Sequence, residues 1–222
     1  MTSSFASTLS DAQQFQRRLR RLSNATHAFA QASRSTQALF ETVVRQVAES
    51  LNACCTLSLL TEDASHFTTV SAFASQAELH RTLQALVSGQ PKPVESHPGI
   101  HYVVSTGTAL FAPFMERRAD VQAGAPEITQ LARDLQVQSA LVVPLLEGER
   151  VIGALGVARQ GPGAAAFEED DLTVAQTLAQ HAALALASAR VFEQAARDMA
   201  EKELLEARLR ASAAAESAAL AA

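Results

Sequence analysis

The chain has 222 residues, of which 48% are hydrophobic, and a formal net charge of -5. This length and composition are typical of a globular protein with one domain of ordinary size and appendages, or with two small domains. The acidic balance disfavours nucleic acid as a partner. Because no apolar run approaches the roughly 20 residues that cross a bilayer, and because the N-terminal residues do not resemble a secretion signal, we expect a cytoplasmic protein without membrane contact.

The first part of the chain predicts two helices. In the first helix, mostly apolar residues recur at alternating steps of four and three, which is typical of a seam that packs on another helix. They are Phe15, Leu19, Leu22, Thr26, Phe29 and Ser33. Ser35 then precedes a second helical pattern, whose broader apolar stripe runs from Leu39 to Leu51 and indicates a buried face.

A β-hairpin is predicted next. Cys54 to Leu60 (CCTLSLL) and Phe67 to Phe73 (FTTVSAF) are rich in strand-forming residues and are separated by the polar turn TEDASH. Cys54 and Cys55 are the only cysteines, and since neighbouring strand residues face opposite sides of a sheet, a disulfide between them is disfavoured. A reducing compartment is indicated. Packing as small apolar residues is the favoured interpretation, and oxidant sensing by an exposed thiolate is the alternative.

The middle of the chain is irregular. Gln76 to Val87 predicts a short helix, Ser88 to Gly99 a loop, and Glu127 to Leu135 a further helix. His97 and His101 lie four residues apart, and neutral imidazole can ligate haem iron or another metal, or hydrogen-bond a small ligand. Loop and packing roles are favoured for both histidines, because no further metal-ligand cluster accompanies them.

The last third predicts two strands and a long helix. The strands are Ser139 to Leu146 (SALVVPLL) and Arg150 to Ala158 (RVIGALGVA). Alternation gives the second strand a bulky face, with Val151, Gly153, Leu155 and Val157, and an almost flat face, with Ile152, Ala154, Gly156 and Ala158. A helix from Leu172 to Arg210 would be about 58 Å long. It would therefore project from a domain only about 35 to 40 Å across.

These features of the last third resemble the closing half of a GAF domain. In that family, a strand with a Pro-Leu pair leads through a short turn into a strand with an Ile-Gly pair, then into F-x-x-x-D and a long helix that ends in A-R-x-F. The matching residues are Pro144, Leu145, Ile152, Gly153, Phe167, Asp171, Ala189, Arg190 and Phe192. The resemblance extends from about Thr36 to Phe192 and is strongest from Ser139 onward.

The resemblance implies an α+β fold, in which an antiparallel β-sheet carries helices on one face and a ligand pocket on the other, between long N- and C-terminal helices. It divides the chain into an N-terminal amphipathic helix (1–34), a sensor domain (35–190) and a projecting coiled-coil-type helix (191–222). We expect the flat face of the second strand to meet the helices and its bulkier face to form the pocket floor. The pocket candidates are His97, His101, Tyr102, Phe111, Phe114, Met115, Val143, Gly153 and Leu155.

Terminal helices in this family usually join those of a second subunit, so the resemblance implies a homodimer that signals to an output domain or partner protein. The expected dimer residues are Leu19, Leu22, Phe29, Leu178, Ala182, Ala185, Ala189, Phe192 and Met199. The implied function is small-molecule or redox sensing, without catalytic residues. Two alternatives stay open: a ligand-free dimerisation scaffold, and the sensory fragment of a histidine kinase.

Each known GAF chemistry makes a demand on the sequence. The Asn-Lys-Phe-Asp-Glu signature of cyclic-nucleotide binding is absent, and the cysteines for covalent bilin attachment or methionine sulfoxide reduction are missing from the roof of the pocket. His181 lacks the context of a kinase phosphorylation site and is predicted to be structural. Haem is a disfavoured hypothesis, no metal site is expected, and the ligand is unidentified.

Overall fold

The computed structural model of the protein describes residues 20, 23–32, 35–87, 89–114 and 126–220. In chain order, the elements are α1 (23–32), α2 (Thr36–Leu51), β1 (Cys54–Leu60), β2 (His66–Phe73), α3 (Ala77–Gln84), β3 (Lys92–Pro93), a 3-10 turn (Val94–Ser96), α4 (Pro98–Thr106), β4 (Leu110–Ala112), α5 (Pro126–Asp134), β5 (Val137–Glu147), β6 (Arg150–Gln160) and α6 (Glu169–Leu220). None of these described helices is both long and apolar enough to span a membrane.

The described strands form a six-stranded sheet in which every neighbouring pair is antiparallel. The strand order is β3-β2-β1-β6-β5-β4, so β1 and β6 form the centre. The hairpin predicted around the turn TEDASH is confirmed, with Leu60 opposite Phe67. The predicted α+β fold with an antiparallel sheet is therefore confirmed.

One face of the sheet is covered by helices, and α2 is central to this layer. α2 begins where the Ser35 side chain accepts a hydrogen bond from the Ala38 amide, and it ends at Asn52, which has a left-handed backbone. The predicted apolar stripe is buried, as Leu39, Phe40, Val43, Val44, Val47 and Leu51 show. Burial of each large side chain contributes about 1.5–3 kcal/mol, so this stripe holds α2 firmly against the sheet.

α6 is a continuous helix of 52 residues, about 78 Å long at 1.5 Å per residue. Its first turn is capped by Asp171, whose carboxylate accepts a hydrogen bond from the Glu168 amide over 3.0 Å. Up to Ala189, one side of the helix packs in the core. Large apolar side chains beyond that point are exposed, among them Phe192 at 66%. The predicted long C-terminal helix is confirmed, and the described apolar side chains of its distal part lie outside the core.

The two faces of β6 are oriented opposite to the expectation. The bulky residues Leu155 and Val157 lie in the core with α2 and α6, whereas the small residues Ala154 and Gly156 face the free side of the sheet. The expectation that the flat face meets the helices is wrong. The reason is that α6 itself supplies the small residues at this contact, such as Ala179, and so leaves room for bulky strand side chains.

The packing of neighbouring strands explains why position 153 is a glycine. A Cβ atom at this position would lie 2.4 Å from the Ser58 carbonyl oxygen on the neighbouring strand. Just before it, β6 contains one extra residue, Ile152, between its paired positions Val151 and Gly153. Pro144 lies beyond the end of β4, where β5 has no partner on that side, which agrees with the edge position predicted for a proline.

Candidate ligand-binding site

A cavity of about 190 Å³ lies between the free face of the sheet and a roof that includes α4 and α5. Its floor consists of the small residues Ala140 on β5 and Ala154, Gly156 and Ala158 on β6. Its apolar walls include Phe67, Leu83, Ile100, Leu110, Leu131 and Leu135. Because the floor side chains are short, they leave a space that a small apolar molecule can fill.

Polar side chains of β1 form a row along the floor. Cys54, Thr56 and Ser58 occupy alternate positions of the strand and face the cavity together. The Thr56 hydroxyl donates to the Gly156 carbonyl oxygen over 3.4 Å, and the Ser58 and Thr69 hydroxyls are hydrogen-bonded over 3.1 Å. These bonds fix the side chains, while their hydroxyl oxygens retain the capacity to accept a further hydrogen bond.

His97 lines the cavity from the start of α4, in the segment that the sequence predicts as a loop. The helix begins there because Pro98 suits its first position and His97 caps it, with Nδ1 accepting the Ile100 amide hydrogen over 3.3 Å. Burial, and to a smaller degree the charge of Lys92, lowers the pKa of His97 from 6.5 to about 4. The ring is therefore neutral at pH 7. Because Nδ1 acts as an acceptor, the proton resides on Nε2, which is a donor.

Lys92 brings positive charge to the cavity. It lies on the edge strand β3, is exposed to solvent, and is one of the lining residues. Among the lining residues of the described part of the chain, none is an aspartate or glutamate. The cavity therefore combines an apolar body with an electropositive polar end formed by Lys92 and His97.

The described residues define the arrangement of potential metal ligands and the size of the cavity. Within the described ranges, no group of three or more His, Cys, Asp and Glu side chains is placed to hold a metal ion. The cavity of about 190 Å³ is somewhat larger than the roughly 150 Å³ that accommodates benzene, so a single small ring fits within it.

A family model described as "GAF domain" matches residues 35–186, which is more than half of the chain. The chain belongs to the GAF domain family. GAF domains are signalling and sensory modules, and the sensor character predicted from the sequence agrees with this membership. A comparison of the sequence with curated proteins finds no match.

Solved structures with the same fold include domains of phosphotransferases, a chemotaxis protein and a reductase. The GAF domain of an Acinetobacter phosphoenolpyruvate-protein phosphotransferase is 18% identical, with a TM-score of 0.60 over 78% of this chain and 94% of that chain. A methyl-accepting chemotaxis protein is 12% identical, with a TM-score of 0.60 over 75% and 97%. The free methionine-R-sulfoxide reductase of Neisseria meningitidis, in complex with its substrate, is 15% identical, with a TM-score of 0.56 over 76% and 87%. At these identities, the similarity establishes the fold.

Of the roof residues predicted to contact a ligand in this GAF domain, His97 lines the cavity. His101 and Tyr102 lie on α4 with exposed side chains, and neither is a lining residue. Phe111 on β4 packs, half-buried, beside the core under the helices, and Phe114 is 53% exposed. Met115 lies outside the described residues. His101 and Tyr102 do not line the cavity because α4 faces the sheet with Gly99 and Ile100, and these two residues lie on its outer side.

The three predicted floor residues lie on the opposite face of the sheet. Val143 and Leu155 are buried in the core beneath α2 and α6, and Gly153 is enclosed by Ser58 and Leu145. Their assignment to the cavity floor is wrong for the same reason as the reversed faces of β6. The neighbouring residues of opposite phase on the strands, beginning with Ala154, line the cavity instead.

Several cavity residues were not predicted from the sequence. The alternation along β1 could have identified three of them. The small residues Cys54, Thr56 and Ser58 alternate there with apolar Cys55 and Leu57. Such alternation marks one strand face as different from the buried core. Lys92 gave no such signal, since it lies in a segment without periodicity.

The predicted dimer residues divide into two groups. Phe29, Leu178, Ala182 and Ala189 are buried in the core of the single chain, so their assignment to a dimer seam is wrong. Ala185 is half-buried, Phe192 and Met199 are exposed, and Leu19 and Leu22 lie outside the described residues. The seam spacing did identify a helix contact, but the partner of α6 is α1 and α2 of the same chain.

His181 belongs to this contact between helices. Its Nδ1 lies 2.7 Å from the Thr26 hydroxyl, which agrees with the structural role predicted for it.

A network centred on Arg159 joins the end of β6, next to the cavity floor, to the start of α6. Its guanidinium forms two bonds to Asp171 in the first turn of α6, over 3.1 and 3.2 Å. It also donates to the Leu51 carbonyl oxygen over 2.8 Å and to the Ala166 carbonyl oxygen over 3.0 Å. The guanidinium carbon lies 4.3 Å from the centroid of the Phe167 ring. The ends of α2 and β6 and the start of α6 are thereby held together.

Proposed function

We propose that this GAF domain senses a small molecule in the cavity and passes the signal along α6 to an output domain or partner. The observation that carries the proposal is the direct link between cavity and helix. Gly156 and Ala158 of β6 line the cavity, and the next residue, Arg159, is bonded to Asp171 at the start of α6. A ligand that shifts β6 therefore displaces the base of the long helix as well.

We further propose that the domain works as a homodimer through the distal part of α6. Exposed apolar and small residues there form a stripe on the side that faces away from the core, within about 100° of one another around the helix. They are Leu184, Val191, Phe192, Ala195 and Met199. A second copy is the proposed occupant, because GAF domains commonly mediate dimerisation and because one stripe can pack on its own copy about a twofold axis.

Small-molecule sensing is favoured over redox sensing and over catalysis. The chain has only two cysteines, and both are buried in β1. Burial raises the pKa of Cys54 from 9.0 to about 11 and raises that of Cys55 well above 9.0. Thiols with such values are poor nucleophiles and poor oxidant sensors at neutral pH. Two free cysteines also suit the reducing cytoplasm, where we propose that the protein acts.

The alternatives differ in how well the geometry supports them. A ligand-free scaffold would fill its pocket with its own side chains, whereas the space above Ala154 is a cavity of about 190 Å³. The similar structures come from a chemotaxis protein and a phosphotransferase, so one fold serves different outputs. A histidine kinase output is a further alternative that no described residue specifically favours.

Native mass spectrometry tests the sensing proposal. Protein purified from its own host should carry a bound small molecule, and the variant Ala154→Leu, which fills the cavity, should lack it. Ala200→Leu is the matched control, because it adds the same side chain at an exposed position on distal α6. A ligand retained by Ala154→Leu would place the binding site outside the cavity and contradict the proposal. Absence of a ligand from the unmodified protein would argue for the scaffold alternative.

Analytical ultracentrifugation tests the dimer. Phe192→Glu should convert dimers to monomers, because it places a charge in the apolar stripe. Ala200→Glu adds the same charge to an exposed position about 100° around the helix from Met199, and it should leave the dimer intact. A monomeric unmodified protein, or a dimer that both variants retain, would contradict the proposed interface.

A further inference from the structure

The geometry points to a small organic acid as the ligand: a flat, mainly apolar monoanion about the size of benzoate. Its ring would lie on the alanine and glycine floor, and its carboxylate would face Lys92 and His97. This inference rests on the proposed sensing function and adds the chemical class of the molecule that is sensed.

The size of the cavity sets the size of the ligand. The volume is about 190 Å³. An apolar protein cavity of about 150 Å³ binds benzene. One six-membered ring with a single small substituent therefore fits.

The shape of the ligand follows from the flat floor of the cavity, where two glycines allow close contacts. In the roof, a Cβ atom on Gly99 would lie 2.8 Å from Cγ2 of Val142 on β5. On the floor, a Cβ atom on Gly156 would lie 2.7 Å from the Thr56 hydroxyl oxygen. Glycine at position 99 therefore lets the roof contact the sheet at one end of the cavity, and glycine at position 156 leaves the floor beside Thr56 flat. A planar ring suits this flat floor better than a branched or spherical molecule.

The charge of the ligand follows from the polar groups around the cavity. The ammonium of Lys92 and the Nε2–H of neutral His97 are both donors, and no acid occurs among the described lining residues. A carboxylate can accept from both donors and neutralise the lysine charge. A cationic ligand would be repelled by Lys92, and a neutral alcohol would make only an uncharged hydrogen bond, which is roughly half as strong.

Isothermal titration calorimetry with a matched set of probes tests the inference. Benzoate should bind, benzyl alcohol should bind about tenfold more weakly, and benzylamine should not bind. Lys92→Met should lower benzoate affinity about tenfold, which corresponds to one charge-assisted hydrogen bond. Lys202→Met is the control, because Lys202 is the only other lysine of the chain and is exposed on distal α6, and it should change nothing.

Ala154→Leu separates failure of this inference from failure of the sensing proposal. If benzylamine or benzyl alcohol binds as tightly as benzoate, or if Lys92→Met retains full benzoate affinity, the acid class is wrong. Loss of that binding in Ala154→Leu would then still locate the molecule in the cavity and leave the sensing proposal standing. If no probe binds, the inference is also overturned, and the native mass spectrum alone decides the proposed function.

Discussion

Replacement of Arg159 by methionine should destabilise the domain far more than replacement of an exposed arginine. Methionine keeps an apolar stem near Phe167 but removes every donor of the guanidinium. The Arg159 and Asp171 side chains are only 16% and 24% exposed, so water replaces the lost partners poorly. The carbonyl oxygens of Leu51 and Ala166 lose their bonds to Arg159 as well.

The magnitude follows from the burial of this network. Breaking a fully buried ion pair by removing one partner costs 3–5 kcal/mol, and the partial exposure of this pair places the expected loss near the lower end, at about 3 kcal/mol. For a protein of this size, that loss lowers the melting temperature by about 6–12 °C. Urea denaturation followed by circular dichroism measures the difference in free energy directly.

Arg197→Met is the matched control for Arg159→Met. Arg197 pairs with Glu193 over 3.9 Å, but these side chains are 75% and 39% exposed. Loss of such a surface pair changes the free energy of unfolding by less than about 1 kcal/mol. If the two methionine variants were equally stable, the view of Arg159 as the link between cavity floor and α6 would be refuted.

Two further predictions concern ionisable groups that are buried near the cavity. The free energy of unfolding should fall as the pH drops from 6.5 towards 4, because the unfolded chain binds a proton at His97 in this range whereas the folded chain, with a pKa of about 4, does not. His97→Asn keeps a capping acceptor and should flatten this dependence in urea titrations, so an unchanged slope would contradict the assignment. Cys54 and Cys55 should resist a thiol reagent at pH 8 in the folded protein and react together in urea, since burial raises the pKa of both thiols. Rapid reaction of either thiol in the folded state would revive the redox alternative.

The elements of this fold were predictable because their periodic patterns report burial. The broad stripe of α2 and the two hairpins followed from spacing and turn composition, and the resemblance to GAF domains supplied their arrangement. The motif around Pro144 and Gly153 was specific enough to identify the family. What alternation alone did not provide was the direction in which each face of a strand points.

The reversal on β6 shows why the cavity was misplaced. Alternation states that Ala154 and Gly156 share a face, but a flat face can serve either close helix packing or an empty space. The deciding information lies on the neighbouring strand, where Thr56 is opposite Gly156 and Ser58 is opposite Ala154. A face that carries hydroxyl groups is poorly suited to an alanine-rich helix layer, so the polar pattern of β1 indicates the cavity side.

The dimer residues were misplaced for a related reason. A seam of small and apolar residues indicates that a helix has a partner helix, but it does not state to which chain the partner belongs. Ala182 and Leu178 meet helices of their own chain. The exposed residues on the opposite side of α6, from Leu184 onward, are left to contact another chain.

The continuity of α6 has a consequence for geometry at a distance. In an unbroken helix, each residue adds about 1.5 Å of rise and about 100° of rotation. Removal of one residue after Arg190 would turn everything distal to it by about 100°, whereas removal of seven would restore the angular phase to within about 20°. The number of residues between the sheet and the far end of α6 therefore sets the direction in which the distal side chains point around the helix axis.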